Sequence, residues 1–402
     1  MSNALRRISA AIGIAFALAS APSHAQELKL GALFPFSGGL ALLGDESFRG
    51  VQLAVDERNA AGGINGRQIA LAKADAVDAS QAVGEARRLT SVENVVAVFG
   101  SYASGISSAA TQVTELAGVP YFELGATADT ITTRGFKYLF RVNPTAKNIG
   151  DRTLEAVVKV VAPALKVDPK TLKLAIIHED GPYGSLVAAA QKEEAKRLGL
   201  NVVEAQAYSP KTVDLSSVIL RLKGAGADLV LHTAYQNDAV LFFRQAAAAG
   251  YKPRAVIGGG GGYSLTDTAQ AVGAPMEGVY DVDFPQITMN AAGAPGLNDF
   301  VAAYQKKFSS APRSGHSLAN YVGAKAMLEA LARAKSTDKD KIREAVLAYR
   351  VPVGSTATGW GIQFNEAGQN SLGSLNLMQW QQGKLATVFP ASVANAKAIA
   401  SN

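Results

Sequence analysis

This sequence predicts an α/β protein of two lobes, each a doubly wound parallel sheet, and three observations carry that expectation. From residue 28 onward, short apolar runs alternate with amphipathic helical runs, a strand falling about every 25–30 residues. The rhythm breaks near Asn143-Pro144 and then restarts. The 402 residues also hold more strands than one ordinary domain of this class accommodates.

Residues 28–34 read as a buried strand. Phe48, Val51 and Val55 then form the stripe of a helix over 47–59, which Gly62-Gly63 stop. A strand over 69–74, a helix over 81–90 and a strand over 95–99 follow. Next come a helix over 104–116, a strand over 119–122 and a short strand over 139–142. Beyond the break the pattern reads helix 149–161, strand 172–178, helix 186–198, strand 201–204 and helix 215–222. A strand over 228–232, a helix over 239–249 and a strand over 255–258 complete it. Late helices over 318–334 and 339–348, and late strands over 363–365 and 375–379, can return to complete either lobe. The Ala-rich tail from Ala391 reads as loosely ordered.

The N-terminus carries the most specific local signal. Arg6-Arg7 precede an apolar run over 8–21, and Ser23-His24-Ala25 closes it with small residues at the −3 and −1 positions. This predicts a secretory signal peptide cleaved after Ala25. The run, about 14 residues long, falls short of the roughly 20 that a bilayer span needs. With no other long apolar stretch, the expected product is soluble and exported, in a Gram-negative periplasm. The chain has no cysteine, which excludes disulfides, thiolate nucleophiles, Cys-based zinc sites and an N-terminal Cys lipid anchor. The formal net charge of +6 drops to about +4 once Arg6 and Arg7 are removed. No Lys/Arg run interleaves with aromatics, so a nucleic-acid partner is not expected.

Open parallel sheets bind ligands beyond the carboxyl ends of their strands, so the residues after each strand are the candidates. They are rich in Gly, hydroxyl and aromatic side chains: Ser37-Gly38-Gly39, Tyr102-Ala103-Ser104, Gly125-Ala126-Thr127, Tyr183, Tyr235, and Gly258 through Gly262 before Tyr263. Ser104, opening a helix, reads either as a cap or as a hydroxyl beside free N–H groups that suit a carboxylate. Thr127 offers a second hydroxyl. Tyr183 and Tyr235 read either as loop packing or as an apolar, hydrogen-bonding wall. Enzyme signatures are missing: there is no G-x-S-x-G elbow, no Walker A loop and no G-x-G-x-x-G after the first strand. The glycine run matches a phosphate cradle in composition only. His24, His178, His232 and His316 show no metal-ligand spacing, so neither a metal nor another cofactor is expected.

Several stretches together resemble the periplasmic Leu/Ile/Val-binding protein family, the type I solute-binding proteins of branched-chain amino acid and amide ABC transporters. They are LKLGALFPFSGGLALLGDESFRGVQLAVDERNAAGGINGRQI, GATADTITTRGFKYLFRVNP, IIHEDGPYG and DLVLHTAYQNDAVLFFRQAAAAG, together with Asp75 and Asp78 before Gln81-Ala82-Val83. The resemblance spans roughly residues 28–380. It implies two lobes joined by three crossover strands and closing on a ligand, with crossovers near 141–145, 279–283 and 359–364. The implied boundaries are 26–143 plus 283–360 for lobe 1, 144–282 plus 361–390 for lobe 2, and a tail over 391–402.

Residue by residue, the resemblance implies that Ser104 and Thr127 hold a ligand carboxylate, with Gly125 as the neighbouring backbone contact. Tyr183 and Tyr235 match the second lobe's tyrosines. Leu43 matches a first-loop contact, and Tyr102 stands beside Ser104. His316 falls at a side-chain contact, where it either reaches a polar ligand group or packs between the lobes. Amino-acid binders in the family pair the ligand ammonium with an acid at the position of Gly260. Either Asp281 or Asp283 substitutes here, or the ligand lacks an amine; a glycine at that position also leaves room for an aromatic acid. The implied function is a monomeric periplasmic binder of a small carboxylate-bearing solute, delivering it to an inner-membrane ABC permease. A ligand-sensing protein of a receptor system is the rival, and an enzyme is a distant third.

Overall fold

The computed structural model describes residues 27–400. The export signal read in residues 1–25, with its cleavage after Ala25, lies outside the described residues. Among the described residues, no helix is long and apolar enough to cross a membrane.

The first lobe begins with β1 (Leu28–Phe34), α1 (Ala41–Ala60), β2 (Ile69–Asp75) and α2 (Ala79–Ser91). It continues through β3 (Val98–Gly100), α3 (Ser104–Ala117), β4 (Tyr121–Glu123) and β5 (Leu139–Arg141). The five strands form one parallel sheet in the order β2-β1-β3-β4-β5. Side chains of β1 alternate between two cores: Leu30, Ala32 and Phe34 join one cluster and Leu33 the other. Both faces of the sheet are therefore covered, which is why the strand reads as a continuous apolar run.

The second lobe starts with α4 (Ala146–Ala156), a π-helical turn over Val157–Val161 and the stub α5 (Ala162–Ala164). Then come β6 (Lys173–Glu179), α6 (Pro182–Leu198), β7 (Asn201–Tyr208), α7 (Ser216–Ala225), β8 (Leu229–Thr233) and α8 (Gln236–Ala248). β9 (Ala255–Gly259), the short helices α9 (Gly261–Ser264) and α10 (Thr266–Val272), and β10 (Tyr280–Asp283) follow. Leu174 and Ile176 of β6 face one core while Ala175 and Ile177 face another, again burying both sides.

The chain then returns to the first lobe. α11 (Leu297–Phe308), α12 (Gly315–Ala334) and α13 (Lys339–Ala348) pack there, followed by β11 (Arg350–Val351) and its antiparallel partner β12 (Ile362–Gln363). The buried carboxylate of Glu46 in α1 ties this return in place. It accepts from Tyr304 of α11 (2.7 Å), the Ser317 hydroxyl of α12 (2.5 Å) and the Arg313 N–H (3.1 Å). Finally β13 (Asn376–Gln381) and β14 (Lys384–Phe389) add to the second sheet, whose order is β14-β13-β10-β9-β8-β6-β7, with β13 antiparallel to β10.

The chain thus passes between the lobes three times. The third passage lies over 364–375, later than the 359–364 read from the sequence, because Ile362 and Gln363 still pair with Val351 and Arg350. The first and third passages are bonded to each other: Arg141 N–H to Gly368 O (2.8 Å), Asn370 N–H to Arg141 O (2.8 Å) and Arg141 Nε to Gln369 Oε1 (2.6 Å). The tail also departs from expectation. Residues up to Ile399 dock on β13, where the Gln379 side chain accepts the Ile399 N–H (2.9 Å) and donates to its carbonyl (2.8 Å). The Tyr280 hydroxyl donates to the same carbonyl (3.0 Å). A tail so bonded is not loose, and its alanines gave no sign of these distant partners.

Glu123 positions the loops at the carboxyl edge of the first sheet. Its carboxylate is fully buried at the end of β4. It accepts the N–H groups of Ser101 (3.0 and 3.1 Å), Gly125 (2.9 Å) and Ala126 (2.7 Å), and a short bond from the Ser107 hydroxyl. On the other side of the same loop, the buried Arg141 guanidinium donates to the carbonyls of Ala126 (3.3 Å) and Ala128 (2.7 Å). Segment 125–128 is therefore held by its N–H groups from one side and its carbonyls from the other. Burial outweighs these donors and pushes the Glu123 carboxyl up to about 7, and it lowers Arg141 to about 10.

Two outcomes are expected. A Cβ on Gly50 of α1 would fall on the Ser317 carbonyl of α12. Gly50→Ala should therefore lower the unfolding free energy by about 1–3 kcal/mol, read as a shifted urea midpoint; an unshifted midpoint would show that the helices can part freely. For Glu123, the carboxyl value rises from 4.5 to about 7 on folding. Its contribution to stability is full below pH 4.5 and is lost as pH rises through about 7, because only the folded chain holds the proton in that window. The stability of the wild-type protein relative to Glu123→Gln should fall by roughly 2–3 kcal/mol across it. Parallel pH–stability curves for the two proteins would refute this.

Candidate functional site

The carboxyl ends of both sheets face each other across a narrow space of about 20 Å³. The first lobe contributes Tyr102 and Ser104 from the turn after β3, Gly125 and Thr127 from the turn after β4, and His316 from the first turn of α12. The second contributes Tyr183 at the start of α6, Tyr235 capping α8, and Gly260 after β9. Eight of the nine residues singled out from the sequence thus line one cavity. Leu43 packs beside Gly261, within 3.0 Å of where a Cβ would sit, but lies outside the lining. Ile149, Gly261, Asp283 and Phe284 complete the wall. A larger groove of about 650 Å³ lies between α1, α12 and the segment after α13. It is away from the strand ends and gathers no comparable set of groups.

Ser104 does not cap its helix. Ala103 holds the cap position, and Ser104 Oγ accepts the Ala128 N–H (3.1 Å) across to the neighbouring turn. An oxygen that accepts this bond still has its hydrogen to donate. Thr127 Oγ1 is buried and has no hydrogen-bond partner among the described residues. Its carbonyl accepts from Ala146 at the start of α4, so the turn is anchored to the first passage between lobes. Gly125 plays a different part from the backbone contact expected of it. Its N–H is committed to Glu123, and a Cβ would come 2.7 Å from the Ser101 carbonyl. Its contribution is close approach of two turns.

The lobes are closed on the cavity. Tyr102 of the first lobe stands edge-on to Tyr235 of the second at 5.9 Å between centroids, and Tyr235 lies 5.5 Å from Tyr183. Tyr102 also meets the His316 ring at 5.3 Å. Burial raises all three tyrosine hydroxyls well above their ordinary value, so they serve as neutral donors and acceptors. The Tyr183 hydroxyl donates to the Gly259 carbonyl in a short bond.

The glycine run is a packed turn, not a flexible loop. Gly258 and Gly259 end β9, Gly260 takes φ 105°, and Gly261 starts α9. A Cβ at Gly260 would come 2.5 Å from the Tyr183 hydroxyl, in a backbone region that side chains rarely adopt. Behind it, β10 places Asp281 and Asp283 on one face. Asp281 Oδ1 accepts the Gly260 N–H (3.2 Å), and Asp283 Oδ2 faces His316 Nε2 (3.2 Å). Burial and then the charge of Asp283 push the Asp281 carboxyl well up. His316 Nδ1 is buried without a partner among the described residues.

The remaining histidines are internal. His232 bonds the hydroxyls of Tyr208 (2.7 Å) and Tyr263 (2.5 Å), and burial lowers it to about 3, so it is neutral. It props the turn after β9 from behind. His178 Nδ1 pairs with the adjacent Glu179 carbonyl (2.7 Å). No group of His, Cys, Asp and Glu suited to a metal ion occurs among the described residues. Sequence reading missed Ile149 and Phe284, which have no polar signature, while Gly261 fell within the glycine run it had marked. It also passed over Glu123, whose signal was a charge set between Phe122 and Leu124.

Comparison with known proteins agrees with this architecture. A family model described as periplasmic binding protein matches residues 27–384. A Leu/Ile/Val-binding protein homolog 8 of Brucella suis is 51% identical over 391 residues, covering 97% of both chains. A homolog 7 from the same organism is 52% identical over 385 residues, covering 96% of each. Among solved structures, a leucine-binding protein LivK from Thermotoga maritima superposes with a TM-score of 0.80 at 22% identity, covering 92% of this chain and 99% of that one. The branched-chain amino acid transporter substrate-binding protein LivJ from Streptococcus pneumoniae, in complex with isoleucine, gives 0.75 at 24% identity, covering 90% and 100%. The structures speak to the fold, and the identity to the Brucella proteins speaks to kinship. By both, the chain belongs to the Leu/Ile/Val-binding protein family of periplasmic binding proteins, a family of binders and not of enzymes.

Proposed function

We propose that the protein is the periplasmic receptor of an ABC importer, trapping one small carboxylate-bearing solute between its lobes and handing it to an inner-membrane permease. The observation that carries this reading is the meeting of Ser104 and Thr127 at the ends of adjacent strands. There one hydroxyl has a hydrogen to donate and the other is buried without a partner among the described residues. Both face a wall of neutral tyrosines from the other lobe. A carboxylate accepts from such donors, and the apolar remainder of a small solute packs on the rings. The names of the curated relatives, Leu/Ile/Val-binding protein homologs, favour an amino acid.

Closure runs through the three passages at 141–146, 283–284 and 364–375, a hinge of the kind that traps ligands in two-lobed binders. Ser104→Ala and Thr127→Ala should each weaken binding by about 1–3 kcal/mol, or roughly 5- to 150-fold. Isothermal titration against amino acids, aliphatic acids and aromatic acids, on protein unfolded and refolded to free it of carried ligand, reads this directly. Unchanged affinity in both variants would sink the carboxylate assignment.

A further inference from the structure

We infer that the carboxyl-terminal tail, residues 391–399, is a strap over the hinge: seated on the second lobe, it holds the chain of the second passage and limits how far the lobes open. This rests on the reading that the lobes open and close about their passages. It does not depend on which solute they enclose.

After β10 the chain reaches α11 of the first lobe only at Leu297, by way of a 3₁₀ turn over Ala291–Gly293. On the way it is stitched to both lobes. The Gln286 side chain accepts the Gly315 N–H of the first lobe (2.6 Å). Thr288 Oγ1 then donates to the Leu385 carbonyl of β14 in the second (2.5 Å), and the Met289 sulfur accepts from Asn376 Nδ2 of β13 (3.9 Å). Between Met289 and Leu297, the one hydrogen bond to the second lobe among the described residues is made through the tail. There the Asn290 N–H donates to the Val393 carbonyl (2.9 Å). Val393 also stands beside Gly293, where an added Cβ would lie 3.7 Å from its Cγ1. The Gly293 carbonyl in turn comes 3.0 Å from where a Cβ on Gly359, in the returning first-lobe chain, would sit. The tail therefore bears on the passage where chain from both lobes converges.

The tail's own footing is on the second lobe. Thr387 of β14 donates its N–H to Asn395 Oδ1 (2.8 Å), and its carbonyl accepts the Asn395 N–H (3.0 Å). The Gln381 side chain of β13 donates to the Lys397 carbonyl (2.8 Å), while Gln379 and Tyr280 hold Ile399. Val393, Ala396 and Ala398 pack on the main core, yet no residue from 391 to 400 is itself buried. A segment of this kind adds little to the core of its lobe and acts mainly on the chain it crosses. With the tail seated, residues 290–293 move with the second lobe, and the short stretch before Leu297 absorbs the rotation. Without it, the free stretch begins at Asn290, and a longer free stretch permits a wider opening.

The chain has no cysteine, so label sites can be introduced cleanly. Ser80→Cys on α2 and Ser217→Cys on α7 put one exposed site on each lobe. Nitroxide distance distributions are recorded on unfolded and refolded protein, free of carried solute, in three forms. These are the full-length chain, a chain ended after Pro390, and a full-length chain with Tyr280→Phe and Asn395→Ala, which removes two of the tail's footings. Both altered forms should show a broader distribution with a mean longer by about 2 Å or more. The Asn290 amide should exchange its hydrogen at least about tenfold faster in both. If the shortened chain does not fold, the paired substitutions carry the test. Distributions that match the full-length protein overturn the strap, and so does an Asn290 amide that stays protected. Neither result bears on the solute reading, which fails instead through the Ser104 and Thr127 titrations.

Discussion

The buried carboxylate of Glu123 is the constraint on which the ligand-facing edge of the first lobe depends. It sits where β4 ends and gathers N–H groups from the turn after β3 and the turn after β4. Neither turn has a strand partner for those groups, and leaving them unpaired in the interior would be expensive. One side chain solves both problems and so fixes the distance between Ser104 and Thr127. Gly125 follows from the same constraint, since the two turns come too close for a Cβ. Arg141 completes the arrangement from the carbonyl side and, through Gln369, joins it to the third passage between the lobes. The hinge and the binding edge are thereby parts of one hydrogen-bonded unit.

The second lobe meets this edge with aromatic rings instead of charge. Tyr183, Tyr235 and Tyr102 make contact across the cleft through edge and tilted packing, which suits rings that also present hydroxyls. The turn after β9 lets them in. Its glycines admit Tyr183 from one side and His316 with Tyr102 from the other, while the neutral His232 holds Tyr263 behind it.

Kinship and specificity separate cleanly here. Identity of about half over nearly the whole length places the chain in its family, yet the polar character of the cleft turns on a few positions. At the turn after β9 the Tyr183 hydroxyl comes 2.5 Å from where a Cβ on Gly260 would sit, and β10 brings Asp283 to the same cavity.

Much of this was legible in the sequence because strand and helix periods record which faces are buried. The continuous apolar runs of β1 and β6 announced sheets covered on both sides, and the break near Asn143-Pro144 announced the passage between lobes. Ser104, Thr127, Tyr183 and Tyr235 were legible by position alone, since strand ends are where such sheets bind. What periodicity does not encode is which distant segments meet. The pairing of β12 with β11, the docking of the tail on Gln379, the commitment of the Gly125 N–H to Glu123 and the filling of the Gly260 position by Tyr183 all arise from contacts between residues far apart along the chain. The sequence by itself determined the lobes, their strand ends and the hydroxyls and rings placed there. Only the tertiary structure decided which polar groups of the cleft are already bonded and which carboxylate lines it, because both depend on contacts made in the folded interior.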